Sequence, residues 1–263
     1  MLDFEKLCRS GTQKLLVFSG FEEEALTSIE SFDVNSGVWQ EVGKLKIART
    51  KFSALALPDN RILVCGGKSF GGGSHDQVEE YDLQSEQSRI LPIRLTEPKH
   101  GFGSCVLDGK LLLCGGNNGE ILNKVEFLDL LSMSWQRLPP LLERRDELAL
   151  VVSPDRCIYA LGGFGGPRNN TLRSVERFDP HKNEWTSIAP MKEPRRSLAA
   201  VVLPDGIYVV GGYNGSAYSS KGQKKEPYLS SVEKFEFSTG RWSTVASMNE
   251  PRCSLAAVAS QDC

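Results

Sequence analysis

The sequence predicts an all-β protein assembled from repeated units, and three observations predict it. Its apolar runs of Val, Ile, Leu and Ala are short, roughly four to eight residues, and sit between clusters of Gly, Pro, Asp and Asn. No segment keeps a 3.6-residue period through three turns, so the runs read as strands and not as helices. The same order of features also returns from end to end at a period of about 47 to 50 residues.

One complete copy runs from Leu198 to Trp242. An apolar strand over 198–203 meets a Pro204-Asp205-Gly206 turn, and a second strand closes on Gly211-Gly212. After a variable loop comes a third strand over 231–237, then a Ser-Thr-Gly turn, then a fourth strand opened by Trp242. The closing glycine recurs at Gly20, Gly67, Gly116, Gly163 and Gly212, and the third-strand glutamate at Glu30, Glu79, Glu126, Glu176 and Glu233. Six residues beyond Asp33, Asp129, Asp179 and Glu236 stand Trp39, Trp135, Trp185 and Trp242; the second copy has Asp82 in step but Ser88 for the tryptophan. Five copies are present, one of them degenerate.

Each element has a physical reading. First strands (53–57, 104–107, 149–152, 199–203) are apolar almost throughout, as expected of a strand buried on both faces, and the third alternates, as in Val175-Glu176-Arg177-Phe178, which predicts half exposure. The order within a copy should therefore run from inside to outside. A glycine pair after an apolar strand permits positive φ where copies crowd together. Gly211 to Gly215 is no phosphate loop, since no helix and no Gly-Lys-Ser/Thr end follow.

A chain of 263 residues, 40% apolar and 24% charged, can bury a core without a metal or disulfide staple. Its formal charge of −2 gives no case for nucleic acid or an anionic membrane. No apolar run approaches the roughly 20 residues that span a bilayer, and residues 1–14 lack the core of a signal peptide. Seven cysteines, an odd number without a Cys-x-x-Cys pair, fit a reduced compartment, so a soluble cytoplasmic protein is expected. The sequons at Asn169 and Asn214 then read as accidental.

Strand–Gly-Gly, Val-Glu-x-Phe/Tyr-Asp, Trp six residues on and Pro-Arg before the next strand together resemble the Kelch repeat, with 175–195 and 232–252 matching nearly throughout. Ser19 for Gly, Ser88 for Trp and Lys99 for Arg are the departures. The resemblance spans residues 15 to 259 and implies a Kelch β-propeller of four-stranded blades. Counting second strands gives five blades, with six as the alternative. A flank over 1–14 precedes one domain over 15–263, with blades at 15–45 plus 250–259, 46–95, 96–141, 142–191 and 192–249. The C-terminal strand over 254–259 is expected to join the N-terminal blade and close the ring.

Function has to be argued from a site, because propellers host both enzymes and binding modules. The loops after Gly-Gly and the connections after Trp should share one variable face. The family's peptide-binding members imply a shallow pocket lined by the residues after the glycines, Phe21, Lys68, Asn117, Phe164 and Tyr213, and by those after Pro-Arg, Thr50, His100, Asp146, Arg196 and Cys253. Aromatic area from Phe164 and Tyr213 and charge-assisted bonds from Arg196 and Arg168 would suit a partner carboxylate. An aromatic after Gly-Gly also fits a plain role in covering its own blade. Arg49, Arg145, Arg195 and Arg252 recur in every copy and read as structural. The fifth loop, 216–228, is the expected mobile segment, with Tyr218 and Tyr228 able to order on a partner.

Catalysis finds little support. His75, His100 and His181 are the only histidines, without metal-ligand spacing, and there is no Gly-x-Ser-x-Gly elbow. No metal, cofactor or enzymatic activity is expected. The resemblance extends to substrate-recognition domains of cullin-RING ubiquitin ligase adaptors, which follow a BTB region that this sequence does not contain; an actin-binding scaffold is the alternative.

Overall fold

The computed structural model describes residues 14–18, 21–22, 24–33, 36–57, 60–166, 170–215 and 227–257. The chain divides into two compact units, residues 1–100 and 101–263. The first holds a three-stranded sheet, Lys14–Phe18, Ser28–Asp33 and Val38–Lys44, and a four-stranded one, Ser53–Ala56, Arg61–Cys65, Gln77–Asp82 and Gln87–Arg94. The second holds three four-stranded sheets. Their strands are Gly103–Leu107, Lys110–Cys114, Val125–Asp129 and Ser134–Leu138, then Ala149–Val152, Ile158–Leu161, Val175–Asp179 and Glu184–Ile188, then Ala199–Leu203, Gly206–Val210, Val232–Glu236 and Arg241–Val245. Every sheet is an antiparallel meander in chain order, and no helix occurs among the described residues. The all-β class and the blade-like sheets are as the repeat predicts.

One expectation, the closing strand, reaches beyond the described residues, and another needs correction. The first sheet has three strands among the described residues, and Ser254–Ala257, the described part of the predicted closing strand, is not in a strand; residues 258–259 lie outside the described residues. Burial also peaks elsewhere than expected. Second strands are the most buried, third strands are mostly buried rather than half exposed, and first strands are only partly covered. The reason is position in the sheet: first and fourth strands are edges, whereas the middle two are hydrogen-bonded on both sides and packed on both faces.

The repeated acid of the third strand caps the outer hairpin. Asp129 Oδ1 accepts the main-chain N–H groups of Leu131 and Ser132 at 3.0 and 2.9 Å, and Asp82 Oδ1 those of Gln84 and Ser85 at 3.0 and 2.7 Å. These bonds, led by those from Ser132 and Ser85, hold both carboxyl groups below their ordinary pKa. Asp108 and Gly109, both at positive φ, form the two-residue hairpin of the third sheet.

The repeated Pro-Arg position is structural in three copies. Arg195 is fully buried and donates to the carbonyls of Gly211 and Ser231, both at 2.8 Å, and to Glu233 Oε1 at 2.9 Å. Arg145 does the same to Gly162 O at 2.8 Å and Glu176 Oε1 at 2.6 Å, and Arg49 to Gly66 O at 2.8 Å and Glu79 Oε2 at 3.1 Å. The glutamates also accept main-chain N–H groups, as Glu233 does from Lys192 and Glu193. Each arginine thus stitches its connection to the next sheet through a buried, hydrogen-bonded ion pair. The glycines make room for it. A Cβ on Gly162 would stand 2.4 Å from Arg195 O, and one on Gly211 2.5 Å from Arg252 O, with both residues at positive φ.

The degenerate second copy compensates. Ser88 is buried opposite Tyr81, whose hydroxyl donates to Val42 O at 3.3 Å. In the fourth and fifth copies a tryptophan bonds a main-chain carbonyl of the preceding segment, Trp185 Nε1 to Pro139 O at 2.9 Å and Trp242 Nε1 to Ala189 O at 2.8 Å. Gly43 leaves the space, since a Cβ there would lie 3.0 Å from the Tyr81 ring.

Candidate functional site

The two predicted series of residues meet pairwise. The residue after Pro-Arg bridges to the residue after the next Gly-Gly, as Thr50 with Lys68, Asp146 with Phe164 and Arg196 with Tyr213. Arg196 N–H bonds Tyr213 O at 3.0 Å and Tyr213 N–H bonds Arg196 O at 2.9 Å. Sequence spacing aligned each series separately, but the pairing of one series with the other comes from the fold.

In the second unit these pairs build a stack. The Arg196 guanidinium lies 5.0 Å from the Phe164 ring centroid and 4.7 Å from that of Tyr213, and Tyr213 meets Tyr228 edge-on at 5.5 Å. An arginine within cation–π distance of two rings is positioned by them, and its N–H groups suit a planar acceptor. Glu147 sits beside it, with Oε2 3.8 Å from Arg196 Nε and 2.5 Å from Ser197 Oγ. Nothing in the repeat pattern marked Glu147, which follows Asp146 at a positive φ of 54°. Phe164, Arg196 and Tyr213 are half-buried, and Tyr228 is exposed.

Asp146 is buried, and Asn117 Nδ2 donates to its Oδ2 at 3.4 Å. Asn117 Oδ1 also accepts from Gly119 N–H at 2.9 Å, so much of its polarity serves its own turn. Cys253 is half-buried with a free thiol. In the first unit, Thr50 and Lys68 form their bridge, and His100 Nδ1 lies 2.8 Å from Ser74 Oγ. His75 Nε2 is 2.9 Å from Ser69 Oγ, and burial first and Arg49 second hold its pKa below the ordinary histidine value. His181 lies in the turn capped by Asp179, in the second unit. Phe21 is in a short strand pairing with Ala25. Arg168, with residues 216–226 of the expected mobile loop, lies outside the described residues.

The buried thiols are poor nucleophiles. Burial raises Cys65 and Cys105 to about 12 and Cys157 to about 11. Asn214 of the second sequon is buried, which no glycosylated asparagine tolerates. A cavity of about 390 Å³, lined by Glu143, Thr171, Arg173, Ser174 and Pro194 among others, holds none of the predicted site residues. No helix of the described residues is long and apolar enough to cross a membrane.

Comparison with known proteins completes the description. The model of the KLHDC2/KLHL20/DRC7 Kelch-repeats domain matches residues 4–163, and the Kelch motif matches 148–192 and 194–249. Kelch-like protein 41a of Danio rerio is 29% identical over 143 residues, covering 54% of this chain and 23% of the relative. The Kelch repeat and BTB domain-containing protein 2 of Ectromelia virus (strain Moscow) is 31% identical, over 41% of this chain and 19% of its own length. Kelch-like ECH-associated protein 1A of Danio rerio is 28% identical, over 58% and 18%. The aligned stretches span less than a quarter of each of these relatives.

Proposed function

Because this chain belongs to the Kelch-repeat family, we propose that it is a protein-interaction module whose receptor surface is built around the Phe164–Arg196–Tyr213 stack. The observation that carries the reading is that stack: rigid aromatic area with two rotatable bonds per ring, and a guanidinium fixed between the rings before any partner arrives. Such pre-organisation reduces the ordering entropy of binding, and Tyr and Arg are the residue types that dominate protein interfaces. A carboxylate or main-chain carbonyl of a peptide partner is the acceptor that the guanidinium edge suits. Asn117, Asp146 and Cys253 of the same unit would add polar contacts, and Thr50, Lys68 and His100 hold the equivalent loop positions in the first unit.

One relative carries a BTB domain by its name. On that footing the module would serve as the substrate-recognition part of a cullin-RING ligase adaptor, with the BTB region engaging the cullin. The test is affinity capture from cytosolic lysate with mass-spectrometric quantification, comparing the wild type with F164A/R196A/Y213A. Partners bound by the wild type should fall at least tenfold in the variant while its melting curve stays cooperative. Equal capture by both proteins would move the receptor surface away from the stack, and recovery of actin rather than cullin-associated substrates would favour a cytoskeletal role.

A further inference from the structure

In the later repeats the loop after the glycine pair folds back on itself, and Asn117 meets Ile121, Phe164 meets Thr171 and Tyr213 meets Tyr228. In the fourth repeat this small ladder is bonded at Leu172, whose N–H donates to Gly163 O at 2.8 Å. Alternation along an antiparallel pair then turns the N–H and C=O of Thr171 away from Phe164, toward the outer edge. Ile121 is placed the same way in the third repeat, with Leu122 N–H on Gly116 O at 2.8 Å.

The two edges end differently. Arg144 Nη1 donates to Ile121 O at 3.4 Å and pairs with Glu120 at 3.6 Å, so the chain covers that edge with its own side chain. Arg144 stands one place before the buried Arg145, and Pro194 holds the same place before Arg195. Proline has neither an N–H nor a donor side chain, and no group among the described residues bonds the outward N–H or C=O of Thr171.

The cavity of about 390 Å³ lies along this edge. Its lining takes in the consecutive run from Asn170 to Ser174, with Glu143 and Pro194 from the two flanking connections. Glu143 is already engaged, accepting from Ser174 Oγ and from Arg145 Nη2 at 3.3 Å. Arg173 is exposed and has no ion-pair partner among the described residues. The cavity therefore offers one main-chain donor, one main-chain acceptor and an uncommitted cation.

An extended chain answers all three. A guest arginine placed like Arg144 would satisfy Thr171 O and leave the Thr171 N–H bare, whereas the N–H and C=O of one residue in an added strand meet both. We propose that this cavity takes an extended segment of a partner protein, added as a strand on the Thr171 edge, with an acidic side chain of that segment on Arg173. None of Phe164, Arg196 and Tyr213 lines the cavity, so this second docking site stands independently of the stack.

Selection of a random phage-displayed peptide library on the full chain, with counter-selection on Arg173→Glu, tests this. Surviving peptides should carry Asp or Glu within a run of β-branched residues. Synthetic copies should bind the wild type about tenfold or more tightly than Arg173→Glu in fluorescence anisotropy. Selection on Arg173→Glu itself should return Lys or Arg in place of the acid. N-methylation of the peptide backbone, one residue at a time, should cost about tenfold at the residue opposite Thr171 and little on either side, where the N–H groups point away. Pro194→Arg should weaken binding by about tenfold too, because it supplies the covering side chain that Arg144 gives the other edge. Circular dichroism checks each fold, and Arg173→Gln replaces the reversal if that fails. A library that yields no peptide dependent on Arg173 overturns the proposal. So does a methylation scan in which no residue stands out, since side chains alone would then hold the peptide, and so does binding that Pro194→Arg leaves unchanged.

Discussion

Trp185 and Trp39 hold the same place in their repeats, and each leans on a cross-strand phenylalanine with ring centroids 5.1 Å apart, Phe178 and Phe32. Yet Trp185 is 6% exposed and Trp39 47%. Trp185 lies in a cluster with Leu112, Phe127, Leu141 and Leu150 of neighbouring segments and donates to Pro139 O; Trp39 belongs to the sheet face that carries the exposed Val17 and Glu30. The difference teaches that a repeat of this kind does not bury its own hallmark residue. The neighbouring sheet does, so local sequence sets the side chain and the array sets its energy.

The largest expected effect breaks this comparison most directly. Trp185→Ala should destabilise by roughly 3–5 kcal/mol, from lost burial and the cavity left behind, and Trp39→Ala by about 1 kcal/mol or less. Urea melts of both variants check it, and equal losses would mean that Trp39 is covered in solution.

A smaller effect sharpens it at the degenerate copy. The sequence alone suggests that Ser88→Trp restores the pattern, but Tyr81 already occupies the space and makes the tryptophan's hydrogen bond. Ser88→Trp should therefore destabilise by about 1–3 kcal/mol through overpacking. Ser88→Ala should be neutral or slightly stabilising, since Ser88 Oγ is buried without a hydrogen-bond partner among the described residues. Thermal denaturation of the two variants gives the sign of each.

The smallest effect is pH-dependent. His75 has its folded-state pKa lowered, by burial first and by the charge of Arg49 second, from an unfolded value of about 6.5. The unfolded chain then binds more protons as pH falls, so the stability present above about pH 6.5 is lost as pH drops through the folded pKa. Melting temperatures at pH 7.5 and 5.5 should fall less for His75→Gln than for the wild type.

Much of the candidate site was legible and part of it was not. Phe164, Arg196 and Tyr213 stood out because each follows an invariant element of the repeat while varying itself. Their stacking was not legible, because it joins Phe164 of one repeat to Arg196 of the next. Glu147 escaped because its only mark is a backbone angle. Arg49, Arg145 and Arg195 were rightly set aside as structural, yet the same reasoning applied to Arg252 met an exposed side chain.

By itself the sequence determined the strands, their order, the turns and the positions that must be glycine, because these depend on short-range sterics and on alternation along the chain. Tertiary structure alone decided which copies of a recurrent residue are buried, that the middle strands are the best covered, and which side chains meet on the loop ends. Those outcomes depend on what lies against each sheet, and a repeat whose sequence nearly equals its neighbour's carries no local record of whether anything does.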